Sequence, residues 1–162
     1  MYKRQGWQFL SIGRRLERLM NLSTVLQVAV AEGRHAGLDW LLELADSGVT
    51  YRSRYVVAPE WLPVLHLLVC DATNPRAVAF QVKGLDEFVE KLESRFGRFA
   101  TLPVAGGVGG LDALRPADLD PESPRLAEVL ASLHRGAGLL SDELTLKFFS
   151  HAPSRSVLSM AA

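Results

Sequence analysis

Between Gly6 and Glu32 the apolar residues Phe9, Ile12, Leu16, Leu19, Leu26 and Val30 return every three or four positions, the spacing that lines one face of an α-helix. Trp7, Leu10, Met20 and Leu22 widen that stripe, so the helix needs partners on more than one side. At ~1.5 Å per residue it is roughly 40 Å long. A rod of that length buries so broad a stripe only against other long helices, and the rest of the chain has to supply them.

Gly33, followed by Gly37, stops this first helix, because glycine tolerates the left-handed conformation that ends helices. Leu38, Trp40, Leu41, Leu42, Leu44 and Ala45 begin a second helical segment, which runs on through Tyr51, Arg54 and Tyr55 with a kink at Ser47-Gly48. A β-hairpin over Val49 to Val57 is the competing expectation there, since Tyr, Thr and Val favour strands. Pro59 opens a short third helix with Trp61, Leu62, Leu65 and Leu68 on its inner face; Pro63 still falls near the first turn, where a missing N–H is tolerated. Asn74 is expected to cap a fourth helix with Pro75 at its first position, and Val78, Phe80, Val82, Leu85, Phe88, Val89 and Leu92 carry it to about Phe96. From Gly97 to Pro121 glycine and proline dissolve the pattern into a long loop, with one helical turn around Leu111 to Leu114. Ser123-Pro124 repeats the cap-and-proline device for a fifth helix reaching about Ser150, its middle weakened by Gly136 and Gly138. Residues after Pro153 read as a frayed tail. The expected fold is all-α: an antiparallel helical bundle of about five helices with one long Gly/Pro-rich loop.

Composition narrows what such a bundle does. With 162 residues, 48% hydrophobic and 22% charged, the chain is long and apolar enough to bury one core. Its 18 basic residues balance 18 acidic ones, leaving no net field to draw nucleic acid or an anionic membrane. No apolar run approaches the ~20 residues that span a bilayer, and Arg14, Arg15, Glu17 and Arg18 interrupt the apolar core that a secretory leader needs. A soluble, cytoplasmic domain is expected. The single cysteine, Cys70, ends the apolar run from Leu65, the setting of an inert buried thiol.

The familiar catalytic and cofactor motifs are missing. Gly106-Gly107-Val108-Gly109-Gly110 lacks the Gly-Lys-Ser/Thr ending and the strand-to-helix setting of a phosphate loop, so it reads as a linker. His35, His66, His134 and His151 are too scattered to place two metal ligands on one helical face. No metal and no cofactor are expected. The informative signal is a set of polar residues within apolar helices: Arg14, Glu17 and Arg18 on the first, Tyr51, Arg54 and Tyr55 on the second, and Asp71, Asn74 and Arg76 before the fourth, with Gln81 and Asp142 further on. A structural network would have Glu17 bond an arginine and the tyrosine hydroxyls fix helix register. A ligand pocket would have the arginines grip a carboxylate or phosphate, with Glu17 orienting an amine or accepting a proton. Residue chemistry alone favours the structural version.

The string Gly6-Trp7-Gln8-Phe9-Leu10-Ser11-Ile12-Gly13-Arg14-Arg15-Leu16-Glu17-Arg18 resembles the Gly-Trp-x-Phe-Leu-x-x-Gly-Arg-x-Leu-Glu-Arg signature of the bacterial alpha-E domain family. Thr50 to Tyr55, Asp71 to Gln81, Leu140 to Thr145 and Phe149-Ser150-His151 also resemble segments of that family. The resemblance implies a helical domain found beside ATP-grasp-like and transglutaminase-like proteins, hence a setting in which amide or peptide bonds are made, modified or trimmed. Alpha-E domains are typically longer, with a related Gly-Arg-x-x-Glu-Arg helix in an N-terminal half. Residues 1–162 are therefore expected to form one domain equivalent to the C-terminal half, with an exposed apolar helix face that a missing half or self-association would cover. On this basis the function expected is that of an accessory or substrate-binding domain in an ATP-dependent amide-bond-forming system. Arg14, Glu17, Arg18, Tyr51, Arg54, Tyr55, Asn74 and Arg76 are the candidate ligand-binding residues, with Glu17 the candidate general base should the domain be an enzyme of amide transfer or hydrolysis. A structural oligomerisation or partner-docking bundle is the remaining alternative.

Overall fold

A computed structural model describes residues 2–99 and 110–150. Regular structure among these residues is entirely helical. Helix α1 spans Tyr2–Glu32, α2 Leu38–Leu44 and α3 Gly48–Arg54; α4 (Trp61–Leu65) continues into a π-helical turn (His66–Cys70). Helix α5 covers Val78–Phe96, a 3-10 turn covers Pro116–Leu119, and α6 covers Pro124–Phe148. Residues 110–112 are also helical. The all-α antiparallel bundle is the fold observed, and the stretch expected as either kinked helix or hairpin is the separate helix α3. Gly106 to Gly109, His151 and the tail after Pro153 lie outside the described residues.

Helix α1 is the centre of the bundle, antiparallel to both α5 and α6. Along α6, the Phe9 ring lies 4.9 Å from that of Phe148, whereas Met20 and Thr24 lie beside His134, whose Nδ1 is 3.3 Å from the Met20 carbonyl. Along α5, Trp7 meets Phe88 edge-on at 6.0 Å and Arg15 reaches Phe80. The two flanking helices therefore run parallel to each other, and their C-terminal ends meet where Phe96 and Phe148 pack at 5.1 Å. Leu19, Leu26, Leu85, Leu126 and Leu130 are fully enclosed between the three helices, each contributing roughly 1.5–3 kcal/mol through burial.

Local chemistry sets the helix ends. Gly33 adopts φ 63° and closes α1. Ser123 caps α6 as expected, its hydroxyl accepting from the Arg125 N–H, with Pro124 at the first position. Asn74 does not cap α5. That helix begins at Val78, with Ala77 at the cap position and no side-chain cap; the Asn74 side chain is used in the turn before it. Its Nδ2 donates to the Leu67 carbonyl at 3.1 Å and its Oδ1 accepts from the Arg76 N–H. The Leu67 carbonyl needs such a donor because it lies in the π turn, whose register is shown by the Asp71 N–H bonding the His66 carbonyl five residues back.

The short helices cover the end of the bundle near the C-terminus of α1. Trp61 ties α4 to the 3-10 turn through a 2.7 Å hydrogen bond from Nε1 to the Leu119 carbonyl. Helix α2 ends in a Schellman motif: the Ser47 N–H bonds the Leu42 carbonyl and the Asp46 N–H bonds the Glu43 carbonyl. The residue held in the left-handed conformation there is Asp46, at φ 48°, where glycine is usual. Sequence places a kink at Ser47-Gly48; the turn is made one residue earlier.

One core group on α1 is unsatisfied. The Ser23 hydroxyl is fully buried and has no hydrogen-bond partner among the described residues. Leaving a buried hydroxyl unpaired costs about 1–3 kcal/mol, and alanine is the better helix former. Ser23→Ala is thus expected to raise unfolding stability by about 1 kcal/mol in urea titration; a loss of stability would show that the hydroxyl is bonded in solution.

Candidate functional site

The first helix presents three arginines to three environments. Arg15 turns inward between α1 and α5: its guanidinium donates to the Phe80 carbonyl at 3.2 Å and to Gln81 Oε1 at 3.5 Å, and it stacks 4.9 Å from the Phe80 ring centre. It lies over Gly84, where an added Cβ would come within 2.3 Å of it, so the bare backbone makes the room. Burial lowers the Arg15 pKa, Glu87 partly offsets that, and the neighbouring charge of Arg18 adds to it. Arg14 and Glu17 are exposed on the side of α1 turned away from the core, with Leu10, Asn21 and Val28 on the same stripe. That side of α1 mixes apolar and charged residues. Among the described residues, no hydrogen bond or ion pair engages Arg14, Glu17 or Arg18, so the Glu17-centred network is not formed there.

Arg18 borders a cleft of about 270 Å³ where α1, the end of α2 and the turn before α5 meet. Arg18, Asn21, Leu22 and Val25 come from α1, Leu44, Ala45 and Asp46 from the α2 terminus, and Arg76 and Gln81 from the third side. Arg76 is held by Asp46, whose Oδ2 accepts from Nε at 2.9 Å and also from a terminal guanidinium nitrogen. Gln81 is buried and bridges two layers: its Nε2 donates to the Pro75 carbonyl at 2.6 Å while its Oε1 accepts from Arg15. The turn that carries Arg76 is therefore tied to α1. Three guanidinium groups gather on this side of the bundle, and within the cleft Asp46 supplies the carboxylate.

The other candidates take other places. Tyr51 is fully buried; its hydroxyl donates to the Ala58 carbonyl and accepts from the Glu60 N–H, each at 3.2 Å, and its ring packs 4.8 Å from Tyr55. These bonds hold the 55–60 segment over α3. Both tyrosines border a second cleft with Asp39, Glu43 and Arg52. Arg54 pairs with Asp71 and donates to Thr73 Oγ1 at 3.2 Å. Burial raises the Asp71 pKa, but the Thr73 hydroxyl and amide together with Arg54 outweigh it, and the net shift is downward. Asn74, only 1% exposed, also approaches Ser47 Oγ at 3.5 Å and so joins the π turn to the α2–α3 corner. Cys70 lies half-buried in a third, mainly apolar cleft with His66 and Asp112, and burial pushes its thiol pKa up, away from the reactive thiolate. Among the described residues no group of three or more His, Cys, Asp or Glu could hold a metal ion, and no helix is long and apolar enough to cross a membrane.

Of the eight candidate residues, then, the cleft unites Arg18 and Arg76. A family model described as a predicted alpha-helical domain with a conserved ER motif matches residues 1–149. The chain is an alpha-E domain. Its sequence contains the Glu-Arg dipeptide once, at Glu17-Arg18, so the motif residue that faces the cleft is the arginine. Uncharacterised proteins of Mycobacterium bovis and Mycobacterium tuberculosis are each 29% identical over 151 residues, covering 86% of this alpha-E chain and 17% of the relative. The chain thus spans about one sixth of the length of these curated relatives. No solved structure matches it.

Asp46, Asn21 and Val25 are the cleft residues that sequence reasoning does not single out. Asp46 has a legible trace in the Asp-Ser-Gly break after α2, but its left-handed backbone and its partner Arg76 belong to the tertiary structure.

A separate electrostatic feature lies on α5. Burial, reinforced by Glu90, raises the Asp86 pKa from 3.8 to about 6. The folded state then binds a proton more tightly than the unfolded state, so the cost of ionising Asp86 sets in above the unfolded value and is complete above about 6. Stability is expected to fall as pH rises through that window. Asp86→Asn should remove the decline and add about 1 kcal/mol at pH 7, after discounting for solvent screening. Asp71 acts with the opposite sign, its contribution being lost below pH 3.8, so urea unfolding of both proteins from pH 4 to 7 isolates Asp86. A slope unchanged by the substitution would assign the pH dependence to other groups.

Proposed function

We propose that this alpha-E domain is a ligand-binding accessory module whose site is the Arg18–Arg76 cleft and whose ligand carries a carboxylate or phosphate. The observation behind this is the position of Arg18: the arginine of the Glu-Arg motif borders a concavity opposite a second arginine, without an anionic partner among the described residues. Paired guanidinium groups give directed, charge-assisted hydrogen bonds to planar or tetrahedral oxyanions. The apolar parts of Leu22, Val25 and Leu44 beside them suit the body of a small organic ligand. The association of alpha-E domains with ATP-grasp-like and transglutaminase-like proteins supports placing that ligand in an ATP-dependent system that forms or modifies amide bonds.

An enzymatic role for Glu17 has less support. Glu17 is exposed and does not border the cleft, and no Ser, Thr, Cys, His or Lys lines it to act as nucleophile or base. A docking role for the outward side of α1 rests on a different observation, the exposure of Leu10 and Val28 on the same stripe as Arg14 and Glu17. That stripe suits another helix of a longer polypeptide, with apolar contacts at its ends and charge pairing at its centre.

Isothermal titration with inorganic phosphate and with succinate tests the binding role. Saturable binding of at least one anion is expected. Arg18→Gln should weaken it tenfold or more, the effect of losing a charge-assisted hydrogen bond worth about 1.5–3 kcal/mol, while Glu17→Gln should leave it within about twofold. Both variants should keep the wild-type circular dichroism spectrum, because both side chains are exposed. Absence of saturable binding, or binding indifferent to Arg18→Gln, would refute the assignment.

A further inference from the structure

The Asp46–Arg76 pair identifies the chemistry that the cleft selects, given the ligand-binding reading of that cleft. Asp46 stands at the C′ position of the α2 Schellman motif with φ 48°. Aspartate is one of the few L-residues that visit this conformation, but glycine, with no Cβ penalty, is the usual occupant. Its side chain is 74% exposed, so packing does not explain why an aspartate rather than a glycine occupies the turn. What the side chain does is place a carboxylate on the guanidinium of Arg76, with Oδ2 accepting from Nε and from a terminal nitrogen. An ion pair this exposed adds little to stability, so stability alone gives the pair a weak rationale.

We propose that Asp46 is an internal surrogate for the ligand, and that the ligand is the terminal carboxylate of an aliphatic amino acid or of a peptide ending in one. The carboxylate of Asp46 already shows that a planar carboxylate fits the Arg76 edge of the cleft. Arg18, bordering the same cavity, supplies the second guanidinium that Asp46 leaves unneutralised. Asn21 adds an exposed side-chain amide on the α1 wall, placed to bond the peptide group next to a terminal carboxylate. Leu22, Val25, Leu44 and Ala45 form the apolar remainder, and Leu44 is 49% exposed until something covers it. At about 270 Å³ the cavity is smaller than the roughly 300–1,000 Å³ of sites that enclose drug-sized ligands, and so fits one residue or the end of a chain. Binding moves Asp46 off Arg76 into solvent and puts the ligand carboxylate in its place, so the surrogate lowers affinity for anions that cannot also use the apolar wall.

The substitution that tests this is one that removes the surrogate without disturbing the turn. Asn tolerates the left-handed conformation at least as well as Asp, so Asp46→Asn should fold with unchanged or higher thermal stability. Isothermal titration of the wild type, Asp46→Asn and Arg18→Gln uses N-acetyl-leucyl-leucine, its C-terminal amide and inorganic phosphate. The free acid is expected to bind the wild type, the amide to bind at least tenfold more weakly, and Arg18→Gln to lose at least tenfold for the acid. Asp46→Asn should bind the acid several-fold more tightly. If phosphate binds in an Arg18-dependent way while acid and amide do not differ, the cleft remains an anion site and the peptide-carboxylate assignment is overturned. If Asp46→Asn weakens the acid, Asp46 belongs to the binding surface and the surrogate role is overturned. If neither phosphate nor the acid binds, the cleft reading fails together with this one.

Discussion

The bundle depends on the burial of one helix on two sides. Helix α1 gives its apolar stripe to α5 and α6 together, and each of these runs against it in the opposite sense. The short helices α2, α3 and α4 are too brief to be stable alone. They acquire their positions from contacts at one end of this frame, and the cleft lies along the boundary between frame and cap. Its rigid wall is α1, and its opposite walls are the α2 terminus and the turn before α5.

Much of this frame was legible from residue spacing. Ile12, Leu16, Leu19 and Leu26 recur with helical period and are all buried, and Ser123-Pro124 starts α6 as its chemistry dictates. Asn74-Pro75 carries the same local signal, and Asn74 Oδ1 does accept from the Arg76 N–H as a cap would, but the turn it starts does not run on into α5, which begins at Val78. The Asn74 Nδ2 meets the Leu67 carbonyl of the π turn, and a π turn has no local sequence signature that would announce that contact before the fold is known.

The site was legible by type and less so by position. Arginines on α1 mark the motif, yet residues 14, 15 and 18 lie within about 100° of one another around the helix, and only the packing decides which turns inward. Gly84 settles it for Arg15 by leaving space on α5. Tyr51, Arg54 and Asn74 are polar for structural reasons, each spent on a loop, an aspartate or a carbonyl. The network expected around Glu17 is not formed among the described residues; Tyr51, Arg54 and Asn74 instead fasten the α2–α4 cap, and Arg18 and Arg76 border the cleft.

Among the described residues, the cleft draws its lining from residues 18 to 81. Helix α6 contributes no wall to it. On the proposed reading of the cleft, recognition would fall to residues 18 to 81, with α6 supporting α1, one of its walls. On that reading, substitutions in α6 would tune how firmly α1 is held without touching a residue that lines the cleft.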